Sequence, residues 1–300
     1  MTTTSQHPCK RSASALRSLL FAPADSIRKM AKARLAGADA VIFDLEDSVA
    51  PAAKVSARLT MRAELDGQRD CLHIVRINAQ GTPWYFDDLA AACAGGADAI
   101  MLPKCMGVMD LERLDQQLTV LEISMGFDVG STGILPLVTE TAAALLDMRY
   151  GGVTSRLMGL GFAGEDLAAD LGVKARDADG MNPLLAEARL RVAFAAAAAG
   201  VPAIDTPFPD PGDTEGFCSE TQQAVRLGYA GKLCIHPAQI AAVNTAFSPA
   251  ASDLVWARAV VDAFESTADA GVALLNGKMI DGAHLRLARR YLSQTGSAVA

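Results

Sequence analysis

The sequence predicts an α/β chain of the (β/α)8 TIM-barrel class with a C-terminal helical extension. Three observations carry this. Short apolar runs recur along the chain, each followed by a turn signal and, in most cases, by a helix-length segment. The runs are continuously apolar rather than alternating, as strands covered on both faces of a parallel sheet must be. There are eight of them, and eight strand–helix units close a sheet on itself and leave no edge exposed. An open doubly wound sheet is the competing arrangement, but no G-x-G-x-x-G follows the first strand.

The first unit pairs a strand over Arg17–Pro23 with a helix over Ser26–Ala36. The next three strands are Ala40–Asp44, Leu72–Asn78 and Ala99–Lys104, with helices over Ala52–Asp66, Pro83–Ala94 and Val108–Ser124. The Gly-Ala-Asp tripeptides Gly37–Asp39 and Gly96–Asp98 fall at matching places before the second and fourth strands, where glycine allows the positive φ that ends a helix. The fifth strand, Ile134–Glu140, precedes a helix reaching Leu146. The sixth, Leu157–Leu160, leads into a loop over Gly161–Asp166 and later an alanine-rich helix, Pro183–Ala199. Val201–Asp205 is the seventh strand, and Gly231–His236 the eighth, followed by a helix from Pro237.

The barrel domain is thereby expected over 16–250. In 251–300, Ser252–Ser266 and Asp281–Leu292 read as helices around the Gly-rich Ala270–Gly277. This exceeds what an eighth helix needs and suits a lid, or an arm reaching a neighbouring subunit. Residues 1–20 hold Lys10, Arg11 and Arg17 and no acidic residue, a composition that transit peptides share. Because the first strand begins so early, 1–15 is read instead as a disordered tail.

Composition narrows the partners. The chain of 300 residues is 51% hydrophobic and 20% charged, enough apolar material for a large core and too little charge for disorder. A net charge of −7 argues against nucleic acid and against an acidic membrane surface. No apolar run approaches the roughly 18–20 residues that span a bilayer. The six cysteines, at positions 9, 71, 93, 105, 218 and 234, form no CxxC pair and no zinc spacing, which reads as reduced thiols in a cytoplasmic protein.

In a barrel of this class the active site lies at the C-terminal ends of the strands. There the sequence places Asp44, Glu46, Asp47, Arg76, Asn78, Lys104, Glu140, Glu165, Asp166 and His236. Buried charges must pair, bind metal or face water. Asp44, Glu46, Lys54 and Lys104 read first as structural ion pairs. Glu140 and Asp166 end adjacent strands, so their carboxylates can converge, and two carboxylates completed by water and ligand oxygens suit Mg2+. A zinc site would want His or Cys, and His236 is the only such candidate. Arg76 offers a planar fork of donors for a carboxylate. A metal beside an arginine is a site for a 2-keto acid.

The motifs RSLLFAPAD, VIFDLEDSVAPAAK, VRIN, LPK, GFAGEDLAADLG, GKLCIHPAQI and GKMID together resemble the citrate lyase β-subunit family, which includes malyl-CoA and citramalyl-CoA lyases; the resemblance covers roughly 16–292. It implies a (β/α)8 barrel, a homotrimer or hexamer, and Mg2+. It implies that Glu140 and Asp166 are the magnesium ligands and that Arg76 binds the substrate carboxylate. Arg28 and Lys32, spaced i, i+4 on the first helix, would contact the CoA phosphates. Asp281 would act as catalytic acid/base, inserted from a neighbouring subunit. Two positions depart from the family pattern: Gly282-Ala283-His284 follows Asp281 where members often carry Pro, and Phe21 and Ala24 stand where many carry Tyr or Gly. The implied activity is Mg2+-dependent cleavage of a 3-hydroxyacyl-CoA, of the citramalyl-CoA or malyl-CoA type, into a 2-keto acid and acetyl-CoA. A thioesterase step after cleavage, a pyruvate-type class II aldolase acting on free hydroxy-keto acids, and the β subunit of a citrate lyase complex are the alternatives.

Overall fold

The computed structural model describes residues 16–67, 69–178, 180–266 and 271–294. The tail expected over 1–15 lies outside them. In chain order the strands are β1 (Ser18–Pro23), β2 (Ala40–Asp44), β3 (Leu72–Arg76), β4 (Ala99–Leu102), β5 (Gly133–Pro136), β6 (Leu160–Gly161), β7 (Arg176–Asp177), β8 (Gly180–Met181), β9 (Ala203–Asp205), β10 (Gly231–Cys234), β11 (Val272–Leu275) and β12 (Lys278–Asp281). The helices are α1 (Ile27–Arg34), α2 (Lys54–Leu65), α3 (Tyr85–Ala94), α4 (Val108–Met125), α5 (Gly164–Leu171), α6 (Pro183–Ala199), α7 (Thr214–Arg226), α8 (Ile240–Ala246), α9 (Ala251–Glu265) and α10 (Gly282–Ser293).

Eight strands form one parallel sheet in the order β5-β4-β3-β2-β1-β10-β9-β6. The parallel bridges Ile134–Leu157 and Leu137–Gly161 join β5 to β6 and close the ring. The predicted (β/α)8 barrel is therefore the fold. Side-chain alternation sets its layers. Leu19, Ile42, Ile74, Met101, Leu135 and Leu233 fill the lumen. Their chain neighbours Leu20, Val41, Phe43, Val75 and Ile100 point outward and pack beneath the helices. Gly37 and Gly96 adopt φ values of 76° and 66°, as the two Gly-Ala-Asp turns require.

The structure corrects four readings. The loop expected over Gly161–Asp166 is shorter, because α5 begins at Gly164 and takes Asp166 into its first turn. The helix expected to reach Leu146 is a single 3-10 turn, Ala143–Leu146. A full helix, α7, follows the Pro- and Gly-rich 207–212; Asp213 caps it by accepting from Gly216 N at 2.8 Å. The extension is not purely helical, since its Gly-rich stretch contributes to a β11–β12 hairpin turned by Asn276 and Gly277, at φ 52° and 74°. Positive φ at both central residues is what a two-residue hairpin loop demands.

The extension has an apolar core of its own. Ala257, Val260 and Val261 of α9 pack on Ala273 and Ile280 of the hairpin and on Ala288 and Leu292 of α10. The opposite hairpin face is uncovered, with Leu274 and Met279 at 73% and 68% exposure. Among the described residues, no helix is long and apolar enough to cross a membrane.

Candidate active site at the C-terminal rim

Strand parity builds the first half of the site. Asp44 and Arg76 follow Ile42 and Ile74 by two residues, so they continue the lumen-facing rows of β2 and β3, where they are register partners. Arg76 Nε and Nη2 donate to the two oxygens of Asp44, each at 2.7 Å. Its Nη1 lies 3.2 Å from Glu46, and the guanidinium stacks over the Phe21 ring at 4.8 Å. Asp44 also accepts from the backbone of Glu46 and Ser48, which folds the Asp44–Ser48 turn back over the strand end. The ion pairs expected of Asp44, Glu46 and Lys104 are present, and Arg76 shares them. Lys54 differs: its ammonium donates to the carbonyls of Leu45 and Glu46, at 2.9 and 2.8 Å, and supports that turn from below.

The second half centres on Glu140. Lys104 closes the gap between the halves, its ammonium bonded to Glu46 and its backbone N–H to Glu140 Oε2. Lys104 holds a positive φ of 52°, rare for a side-chain-bearing residue and typical of functional loops. Glu140 Oε1 is buried without a hydrogen-bond partner. Burial, reinforced by the like charges of Glu46 and Asp166, pushes the Glu140 carboxyl up to about 8, against the pull of Lys104. Thr139 fixes the strand end to the start of α5: its hydroxyl accepts from Ala163 N at 2.8 Å and donates to Ala163 O at 3.3 Å. Glu140 and Asp166 are thus brought near one another, as their places on adjacent units suggest.

When ionised, Asp44, Glu46, Asp47, Glu140 and Asp166 interact with Arg76, Lys104 and Lys54. That leaves two negative charges, matching a divalent cation. The donors that Glu140 and Asp166 present are all oxygens, and one of them is orphaned and buried, which fits a hard cation such as Mg2+. Among the described residues, no group of three or more His, Cys, Asp or Glu is placed to hold a metal, so a zinc-type cluster is absent there. His236 instead accepts from Ala238 N at 3.2 Å and caps the turn after β10.

Two cavities share a wall here. One, of about 380 Å3, is lined by Asp44, Arg76, Gly164, Asp166 and Thr206 with apolar walls from Leu137, Ala163 and Leu233. The other, of about 570 Å3, runs between α1 and the β10–α8 connection and holds Arg28, Lys29, Lys32 and His236. Phe21, Pro23 and Ile235 line both.

The family profile described as HpcH/HpaI aldolase/citrate lyase matches residues 17–237, which hold all eight barrel strands. The chain belongs to that family. Both names in the description are of enzymes that cleave carbon–carbon bonds, and this is a family of carbon–carbon lyases. The chain is 34% identical over 282 residues to the citrate lyase subunit beta of Escherichia coli (strain K12), covering 93% of this chain and 92% of that protein. It is 33% identical over 293 residues to a (3S)-malyl-CoA thioesterase of Cereibacter sphaeroides (strain KD131), with 95% and 96% covered. A crystal structure of protein CitE from Mycobacterium tuberculosis, in complex with magnesium, acetoacetate and coenzyme A, shares the fold at a TM-score of 0.74 and 32% identity, over 95% of this chain and all of that one.

Of the predicted site residues, the structure gathers Arg76, Glu140 and Asp166 at one rim and Arg28 and Lys32 in the adjoining groove. Asp281 stands apart in the extension, where it caps α10 by accepting from Ala283 N and bonds His284 Nδ1 at 2.8 Å. The sequence gives no site role to Phe21, Lys29, Thr139 or Thr206. Parity could have found Phe21, which continues the lumen row from Leu19. Nothing local marks the other three.

Proposed function

We propose that this lyase cleaves a 3-hydroxyacyl-CoA of the citramalyl-CoA or malyl-CoA type into a 2-oxo acid and acetyl-CoA. The observation that carries this is the wall of Phe21, Pro23 and Ile235 that the two cavities share: a thioester bound across it would have its acyl end among carboxylates and arginine and its phosphates among Arg28, Lys29 and Lys32. Of Arg76's five N–H donors, Asp44 takes those on the Nε edge, and a substrate carboxylate would share the Nη1–Nη2 edge with Glu46, which lies 3.2 Å from Nη1. Asp44 and the Phe21 ring fix the plane of that fork, which orients the acid for reaction. Glu140 and Asp166 would hold Mg2+, which supplies Lewis-acid polarisation of the substrate oxygen and neutralises developing charge. Loss of the hydroxyl proton then breaks the bond between the carbinol carbon and the thioester α-carbon. The electron pair passes to the thioester enolate, whose protonation at carbon gives acetyl-CoA.

Asp281 is the proposed acid/base, delivered by a second copy of the chain in a trimer or hexamer. Val272, Leu274 and Met279 share its hairpin face and are exposed, which suits an arm that seats on a neighbour. Asp281→Asn is expected to slow turnover about a hundredfold. Mixed oligomers of Asp281→Asn and Glu140→Gln chains are expected to regain activity that neither variant has alone. No recovery after confirmed subunit exchange would place Asp281 outside the neighbour's site.

The direct test is an assay with Mg2+ on malyl-, methylmalyl- and citramalyl-CoA, measuring release of 2-oxo acid and of free CoA thiol. Oxo acid without thiol supports the lyase. Thiol release with intact hydroxy acid would favour a thioesterase, and cleavage of the free acids without CoA would favour an aldolase. Reversing both groove charges, Arg28→Glu with Lys32→Glu, is expected to raise KM for the thioester about tenfold or more and leave kcat at saturation nearly unchanged, because those contacts are equal in ground and transition states. A fall in kcat alone would contradict that assignment.

A further inference from the structure

Asp166 stands on the first turn of α5 rather than on a strand, so whatever fixes that turn also fixes Asp166. Ala163, at the N-cap position, supplies no side-chain cap. Two side chains tie the turn to the loop between β9 and α7 instead. Thr206, fully buried, accepts from Gly164 N at 2.9 Å. Arg176 on β7 bonds Glu165 through Nη1, while its other nitrogens hold Glu220 at 2.7 and 3.0 Å and the Pro207 carbonyl at 3.0 Å. The guanidinium also lies over Phe208 at 5.3 Å. Glu220 in turn receives Lys232 Nζ at 3.0 Å, so the tie ends on the buried wall of the barrel. Thr206 and Pro207 line the same cavity as Gly164, Glu165 and Asp166, so the tie spans two walls of the site.

We propose that Arg176 and Thr206 are positioning residues for Asp166: they clamp the first turn of α5 against the β9–α7 loop, bring Asp166 toward Glu140, and so set the affinity for a divalent cation. This rests on the metal reading of Glu140 and Asp166. The sign of the effect separates positioning from charge. If only the charge of Arg176 mattered, removing a nearby cation would tighten binding of another. Loss of a clamp weakens it. Thr206 carries no charge, and valine nearly reproduces its shape while leaving Gly164 N unpaired.

The test is a titration of the full-length protein with Mn2+, free ion followed by electron paramagnetic resonance, with the melting temperature recorded for each variant. Arg176→Gln and Thr206→Val are expected to weaken Mn2+ binding about tenfold, while Thr206→Ser, which keeps the acceptor, stays within about twofold of the wild type. Should Arg176→Gln not fold, the Thr206→Val and Thr206→Ser pair decides. Unchanged affinity in folded Thr206→Val, or tighter binding in Arg176→Gln, overturns the clamp. A wild-type protein that binds no Mn2+ overturns the metal reading and the clamp with it.

Discussion

Glu140→Gln is expected to lower Mg2+-dependent cleavage by at least about a thousandfold, while the metal-free fold stays as stable as the wild type or gains. The two halves come from one fact: Glu140 is buried with an unpartnered oxygen beside two further carboxylates. An anion in that setting is unfavourable to the fold and favourable to a cation. The amide keeps the shape and can still accept from Lys104 N, but it removes a full charge from the set that would balance Mg2+. Losing one preorganised charge-stabilising group typically costs 10²–10³ in kcat, and weaker cation occupancy adds to it. Removing the charge also relieves repulsion from Glu46 and Asp166, so melting in chelator should not fall. Oxo-acid release at saturating Mg2+ and a thermal melt measure the two halves. Turnover near that of the wild type in the folded variant would end the metal assignment.

Much of this site was legible in the sequence because barrel geometry converts position into place. A polar residue at the end of an apolar run falls at the catalytic rim, and that reasoning located Asp44, Arg76 and Glu140 without a structure. It read Asp166 less well. The Gly161–Asp166 segment contains no strong helix signal, and its helical start depends on Thr139 and Thr206, which are distant in sequence. Pairing was the other blind spot. Asp44, Glu46 and Asp47 precede Lys54 on the same β2–α2 connection, yet its ammonium is hydrogen-bonded to the carbonyls of Leu45 and Glu46. The β11–β12 hairpin was readable, since Asn276-Gly277 is a strong hairpin signal; the surrounding Gly-rich composition obscured it. Helix α7 was hidden by the Pro- and Gly-rich segment before it, although Asp213 is an ordinary N-cap.

The largest stability effect is expected at Asp205, a residue that apolar-run reasoning treats as the plain end of the seventh strand. It points away from the lumen into the layer beneath α6 and α7, fully buried. Arg189 Nε and Nη2 grip its two oxygens, each at 2.8 Å, and Lys232 Nζ donates to one of them at 2.5 Å. Burial alone would raise its carboxyl, but Lys232 and Arg189 outweigh this and hold it below its ordinary value of 3.8. Asp205→Asn leaves two buried cations, Lys232 with the Glu220 carboxylate at 3.0 Å and Arg189 with the Glu220 backbone carbonyl at 3.1 Å. Breaking such a group from one side typically costs about 3–5 kcal/mol, a large share of a domain's total of about 5–15 kcal/mol. Chemical denaturation should show the loss as a lower midpoint. Because the folded carboxyl titrates below the unfolded one, its contribution is complete above the ordinary carboxylate range and disappears as pH falls through the folded value. Wild-type stability should therefore drop below about pH 4, and in Asp205→Asn that part of the drop should be missing. Replacing Lys232 by Met in the same chain should restore part of the loss, since a buried cation without its partner is what makes the single change costly. An Asp205→Asn protein as stable as the wild type at pH 7 would show that the network contributes no net stability to the barrel.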